Sequence, residues 1–112
     1  MRYMMFVATD TEPDRSPEAP TDIETWFADL DGRGKWVLGE RLRPTEDATT
    51  VRVRAGELLV TDGPFTESKD WIAGFDVLDC DDLDEAIEIA SKHPMARAGK
   101  LELRPFWPIA EG

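Results

Sequence analysis

Hydrophobic positions along the chain follow two periods, and the alternation between them outlines a mixed fold. Arg2 to Thr9 is a nearly continuous apolar run containing Tyr3, Phe6 and Val7. It stops at the polar, proline-bearing stretch TDTEPDRSPEAPTD, which suits a strand buried on both faces. That loop holds Pro13, Pro17 and Pro20 and is expected to be extended. From Thr21 to about Arg33, Ile23, Trp26, Phe27 and Leu30 recur at spacings of three and four, which predicts a helix with one apolar face. Thr21 or Asp22 can cap its start, and Gly32 and Gly34 supply its stop.

Lys35 to Leu42 (KWVLGERL) reads as a second strand in which Gly39 marks a bulge or a close backbone approach. Thr50 to Arg54 and Glu57 to Thr61 flank Ala55-Gly56 and read as a hairpin, with Val51 and Val53 on one face and Arg52 and Arg54 on the other. Alanine fits poorly at the positive φ of the usual two-residue hairpin turn, so the turn type stays open. Trp71 to Leu78 (WIAGFDVL) is again apolar on both faces. Asp82 opens a second helix with Glu85 three positions on, the spacing of a capping box, and Leu83, Ala86, Ile87 and Ala90 form its apolar stripe. Pro94 ends it after Ser91-Lys92-His93, and Lys100 to Arg104 alternates as a last strand.

The resulting order is β-α-β-β-α-β with a hairpin inserted in the middle, an α+β plan. Two helices cover one face of such a sheet. Because RYMMFVA and WIAGFDVL are apolar on both sides, the second face needs cover too, and a second copy packed face to face is the economical source. A length of 112 residues fits a single domain, 1–112, with a modest core to which a partner subunit would add.

Charge and composition narrow the function. The chain has 24 acidic and 13 basic residues and a net charge of −11, which argues against nucleic-acid or anionic-membrane binding. One cysteine, Cys80, precludes an intrachain disulfide and fits a reducing cytoplasm. The first apolar run is too short for a signal-peptide core, and no stretch approaches a membrane span, so a cytoplasmic protein is expected.

The stretch VTDGPFTESKDW concentrates candidate chemistry. Asp62 can serve as a general base or a binding carboxylate if its pKa is raised, or it can close an Asx-type turn in which Gly63 takes positive φ and Pro64 stiffens the next residue. Phe65 lines a pocket or plugs the core, and Glu67 and Lys69 are candidate ligand contacts or solvated loop charges. His93, the sole histidine, is a candidate ligand contact, but its place at a helix end favours a surface residue that stabilises the terminus. Arg41, Arg43, Arg52 and Arg54 could clamp an anion, though pairing with Glu40, Glu46 and Glu57 is the commoner explanation. A second histidine or cysteine is lacking for a zinc site, the acidic run Asp79 to Asp84 lacks calcium-loop spacing, and Cys80 sits among acids that keep it inert. No cofactor or metal is expected.

Taken together, TTVRVRAGELLVTDGPF, the following glutamate, the apolar strand ending in Asp79, the capped helix before Pro94 and the closing ELRP resemble the small YCII-related proteins marked by a DGPF motif. RYMMFV resembles their first strand. The resemblance implies a ferredoxin-like domain that dimerises through its sheets into an α/β barrel. It also implies a largely uncharacterised family in which some members act on small aromatic rings and others accompany alternative sigma factors. A proposed Asp–His catalytic pair in that wider group has no counterpart here, since the helix from Thr21 to Arg33 carries Trp26 and Phe27 but no histidine. The usual Gly-Gly after DGPF is Ala73-Gly74. The expected function is therefore binding of a small, cyclic organic molecule in a cleft by the DGPF turn of a homodimer, with weak acid–base chemistry at Asp62. The alternative is a noncatalytic accessory module that binds another protein.

Overall fold

In the computed structural model, which describes residues 1–19, 21–66 and 68–110, the chain forms six strands and three helices. Pro20 and Glu67 lie outside the described residues. The strands are β1 (Arg2–Thr9), β2 (Trp36–Arg41), β3 (Thr49–Arg54), β4 (Glu57–Asp62), β5 (Ile72–Asp79) and β6 (Gly99–Pro105). The helices are α1 (Ile23–Gly32), α2 (Leu83–Ser91) and the short α3 (Met95–Ala98). β1, β2, β5 and β6 form an antiparallel sheet in the order β2-β5-β1-β6, the ferredoxin-like arrangement, and β3 pairs with β4 as a separate hairpin.

The caps follow from the residues that supply them. Asp22 accepts the Thr25 N–H at 2.8 Å and begins α1, while Gly34 at φ +69° and the Lys35 N–H bonded to the Leu30 carbonyl end it. Asp82 accepts the Glu85 N–H at 2.9 Å. Glu85 returns its own acceptor one residue further back than the expected box, to the Asp81 N–H at 2.9 Å, and is also held by Lys35 Nζ at 2.9 Å.

One face of the sheet is closed. Tyr3, Met5 and Val7 of β1 and Leu78 of β5 pack beneath Trp26 and Leu30 of α1 and Ala86, Ile89 and Ala90 of α2. The Trp26 indole N–H donates to the Ile89 carbonyl at 2.9 Å, which ties the two helices together without leaving a buried donor unpaired.

His93 corrects the expectation of a surface residue. It is 6% exposed, its ring meets Trp26 edge-on at a centroid distance of 4.7 Å, and its Nδ1 accepts the Met95 N–H at 2.9 Å. α2 ends at Ser91, before Pro94 as expected, but Pro94 then starts α3, and the chain folds back over His93 instead of leaving it at an open terminus. Burial holds the imidazole pKa down at about 4, so the ring is neutral near pH 7.

On the same side of the sheet, the Trp36 indole N–H donates to Asp76 Oδ1 at 2.9 Å. Gly39 pairs with Asp76 across the strands, and a Cβ at residue 39 would collide with the Asp76 carboxylate and the Phe75 carbonyl. The expected close approach at Gly39 is thus made by a half-buried carboxylate, whose pKa burial raises while the indole bond opposes the rise.

Candidate functional site

Among the described residues, no helix lies on the opposite face of the sheet. Side chains alternate across it, so Met4, Phe6 and Ala8 of β1 turn away from the core and toward a cavity of about 910 Å³. Ile72 and Phe75 of β5 extend this floor, Phe6 and Phe75 being direct cross-strand partners. Leu42, the 3-10 turn at Thr45–Asp47, and Ala48 to Thr50 at the foot of the hairpin make one wall, and the segment after β4 makes another. The lining is mostly apolar with a few polar groups, the composition expected of a small-molecule site.

The DGPF turn is fixed to the hairpin foot by two hydrogen bonds. The Gly63 N–H donates to the Ala48 carbonyl and Thr50 Oγ1 donates to the Gly63 carbonyl, each at 2.8 Å. Gly63 has φ +103° with open space where a side chain would stand, so backbone conformation is what calls for glycine there. This arrangement carries Pro64 and Phe65 to the cavity wall. Phe65 is 86% exposed and belongs to the rim; it does not plug the core.

Asp62, the last residue of β4, is exposed and is not among the lining residues. Among the described residues its carboxylate accepts no hydrogen bond, so the Asx-type closure is not seen there either. Glu67 lies outside the described residues. His93 is buried under the helices on the far side of the sheet from the cavity. Lys69 is exposed and is not among the lining residues either, so of the sequence candidates the fold brings Pro64 and Phe65 to the cavity and holds Gly63 as the hinge behind them.

The carboxylate that does face the cavity is Asp70. Its Oδ2 accepts from Lys100 Nζ at 2.7 Å and its Oδ1 from the Thr11 N–H at 3.1 Å, and its own N–H donates to Ser68 Oγ at 3.1 Å. The Lys100 bond, with its charge, holds the Asp70 carboxyl below the usual range, and the same bond raises the Lys100 ammonium. Both groups stay charged at neutral pH. The pair is legible only in three dimensions: Lys100 pairs with Ala8 at one edge of the sheet floor, and the loop before β5 delivers Asp70 beside it. Trp71, next in sequence, is stitched to Thr9: the Thr9 N–H donates to the Trp71 carbonyl and the Trp71 N–H donates to Thr9 Oγ1, each at 2.9 Å, and Trp71 lines the same cavity.

Other candidate chemistry recedes. Arg43 lines the cavity but pairs with Asp47 at 3.1 Å, and the expected partners Glu40, Glu46 and Glu57 form no ion pairs with Arg41, Arg43, Arg52 or Arg54 among the described residues. Cys80 is buried, and burial pushes its thiol pKa up. Among the described residues no cluster of three or more His, Cys, Asp or Glu side chains could hold a metal ion. No helix among them is long and apolar enough to cross a membrane.

The family model described as the YCII-related domain matches residues 1–110. A curated relative, an uncharacterised protein of Rhizobium meliloti (strain 1021), is 46% identical over 68 residues, a match that covers 59% of this chain and 55% of the relative. The chain thus spans little more than half the length of that relative.

Proposed function

The chain belongs to the YCII-related family, and from that premise and the cavity geometry we propose that it binds a small, largely apolar cyclic molecule between the open sheet face and the DGPF turn. The observation that carries this reading is the cavity itself. About 910 Å³ of space is floored by the aromatic pair Phe6 and Phe75, walled by Trp71 and Pro64, and furnished with one fixed ion pair, Asp70–Lys100. Flat apolar walls favour a ring, and the ion pair at one edge offers a polar group of the ligand a place to orient. Asp62, outside the lining, is a weaker candidate for acid–base work than its position in the motif suggests, and binding is the better supported activity.

The same reading places the protein in the cytoplasm as a homodimer. A buried, unpaired cysteine supports the reducing compartment. Surface area supports the dimer: the chain exposes 8325 Å², about 2,100 Å² more than the roughly 6,200 Å² typical of a folded monomer of its mass. Its radius of gyration of 16.4 Å likewise exceeds the roughly 13 Å of a compact domain of this length.

Fluorescence titration with the neutral ring probe N-phenyl-1-naphthylamine tests the pocket. Saturable binding is expected, and Phe6→Asp, which puts a charge in the floor, should weaken it by about tenfold or more. Absence of saturable binding, or equal binding by Phe6→Asp, would overturn the reading.

A further inference from the structure

The β3–β4 hairpin has a surface problem that its own chain does not solve. Its register places Val51 opposite Val60 and Val53 opposite Leu58, so four apolar side chains share one face. All four are between 59% and 65% exposed. Beyond their mutual pairing, β3 and β4 make no substantial contact with any other strand or helix among the described residues. An isolated two-stranded hairpin is marginal in water, and one with an uncovered apolar face loses the burial that would hold it.

We infer that this hairpin is an intersubunit clasp: its Val51, Val53, Leu58 and Val60 face closes over the open sheet face of a second copy and forms the missing outer wall of that copy's cavity. The inference deepens the binding reading and rests on it for the role of the cavity.

Each chain carries two uncovered apolar surfaces, the arm and the sheet face around Met4, Phe6 and Phe75. A twofold axis satisfies both at once, because the arm of either copy covers the face of the other. Another protein would have to supply complements to both surfaces; a second copy already has them. The excess of about 2,100 Å² per chain matches the share each partner contributes to an obligate homodimer, whose interfaces bury roughly 2,000–5,000 Å² in total. Arm and cavity are also continuous, since Thr49 and Thr50 at the foot of β3 are cavity wall and the apolar face of the arm begins one residue later. A body seated on the arm therefore also bounds the ligand site.

Analytical ultracentrifugation at micromolar concentration, with wild type and Val53→Glu/Leu58→Glu, provides the first test. Wild type is expected as a dimer and the double variant as a monomer, with association weakened by about a hundredfold or more. Because the arm packs on none of its own core, far-UV circular dichroism of the α-helices should be unchanged. The second test does not depend on disrupting the arm. A spin label at Leu58→Cys, selective because Cys80 is 2% exposed, should broaden the Phe6 and Phe75 amides of an isotopically labelled partner chain in mixed dimers. A monomeric wild type, a double variant that dimerises as tightly as wild type, or an absence of broadening on the partner would each overturn the clasp. If the arm contacts are found but the naphthylamine probe fails to bind the intact dimer, the clasp stands as an interface and the pocket reading falls.

Discussion

On one face of the four-stranded sheet, Met5 and Leu78 are fully buried beneath α1 and α2, whereas one residue either way along β1 from Met5, Met4 and Phe6 line a cavity open to solvent. The side chains are of the same kind on both faces. What differs is their cover: two helices can shield one side of a sheet, and here both lie on the same side. The closed face holds the fold together and has satisfied its polar groups, down to the Trp26 indole and His93 Nδ1. The open face holds unspent apolar surface, which is where a ligand and a partner can be gained. The covered core and the proposed binding face are thus separated by the pleat of a single strand.

The largest expected effect that divides the faces is a pair of truncations. Leu78→Ala removes a fully buried side chain from the closed face and should cost about 3–4 kcal/mol in chemical denaturation. Phe6→Ala, with a larger side chain on the open face, should cost the dilute protein less than about 1.5 kcal/mol, because its ring is only partly withdrawn from water. Its effect should grow with protein concentration if the open face is an interface. Equal losses at low concentration would erase the distinction between the faces.

Acid sharpens the same contrast through His93. Its pKa falls from 6.5 to about 4 on folding, so the unfolded chain takes up the proton more readily than the native one. The stability due to the neutral, buried ring is complete above pH 6.5 and is lost as pH falls from 6.5 toward about 4, by about 3 kcal/mol in all. Asp76 acts in the opposite sense: its folded pKa is raised above 3.8, so its contribution favours folding at acid pH and is lost as pH rises through that range. Urea melts across pH 4 to 7 should therefore show a steep fall in wild type that flattens in His93→Gln. A wild-type profile that is level between pH 5 and 7 would contradict the buried assignment.

Gly39→Ala probes the rim of the closed face. The added methyl has no room between the Phe75 carbonyl and the Asp76 carboxylate, and the strands must separate or Asp76 must abandon the Trp36 indole. A loss of about 2 kcal/mol is expected, accompanied by a change in Trp36 fluorescence. Retention of full stability would mean that β2 shifts freely at this edge.

Sequence reveals these two faces unequally. The apolar periods of RYMMFV and WIAGFDVL place both strands at the centre of the sheet, and Asp22 and Asp82 begin the helices where their capping chemistry requires. Gly39 announces a close approach, but not the identity of the approaching group, because Asp76 lies 37 positions on and its partner Trp36 is paired through space. His93 misleads for a local reason: a histidine before Pro94 reads as a helix end, and only the turn of α3, with Trp26 arriving from α1, buries it. The site is harder still. DGPF marks the turn that carries Pro64 and Phe65 to the cavity wall, yet the Asp70–Lys100 ion pair comes from a loop and an edge strand that share no motif. Local periodicity reports which face a residue takes; it does not report which residues converge on a face.

The smallest expected effect concerns the arm, where the two central residues of the turn, Ala55 and Gly56, have φ +53° and +78°. Both positions of this turn require the left-handed region, where glycine is at ease and alanine is crowded against its own backbone. Asn tolerates the region through local hydrogen bonding and is a favoured first residue of such turns. Ala55→Asn should therefore stabilise the hairpin by about 0.5–1 kcal/mol. Where that gain shows itself is informative. In a free chain the arm rests on no other element, so slower amide exchange in β3 and β4 should come with no change in the melting of the four-stranded sheet. In a clasped dimer, ordering the arm in advance lowers the cost of association, and the dimer should tighten by about twofold to fivefold. Slower exchange in the arm without tighter dimerisation would mean that the hairpin is already held by something other than a second copy.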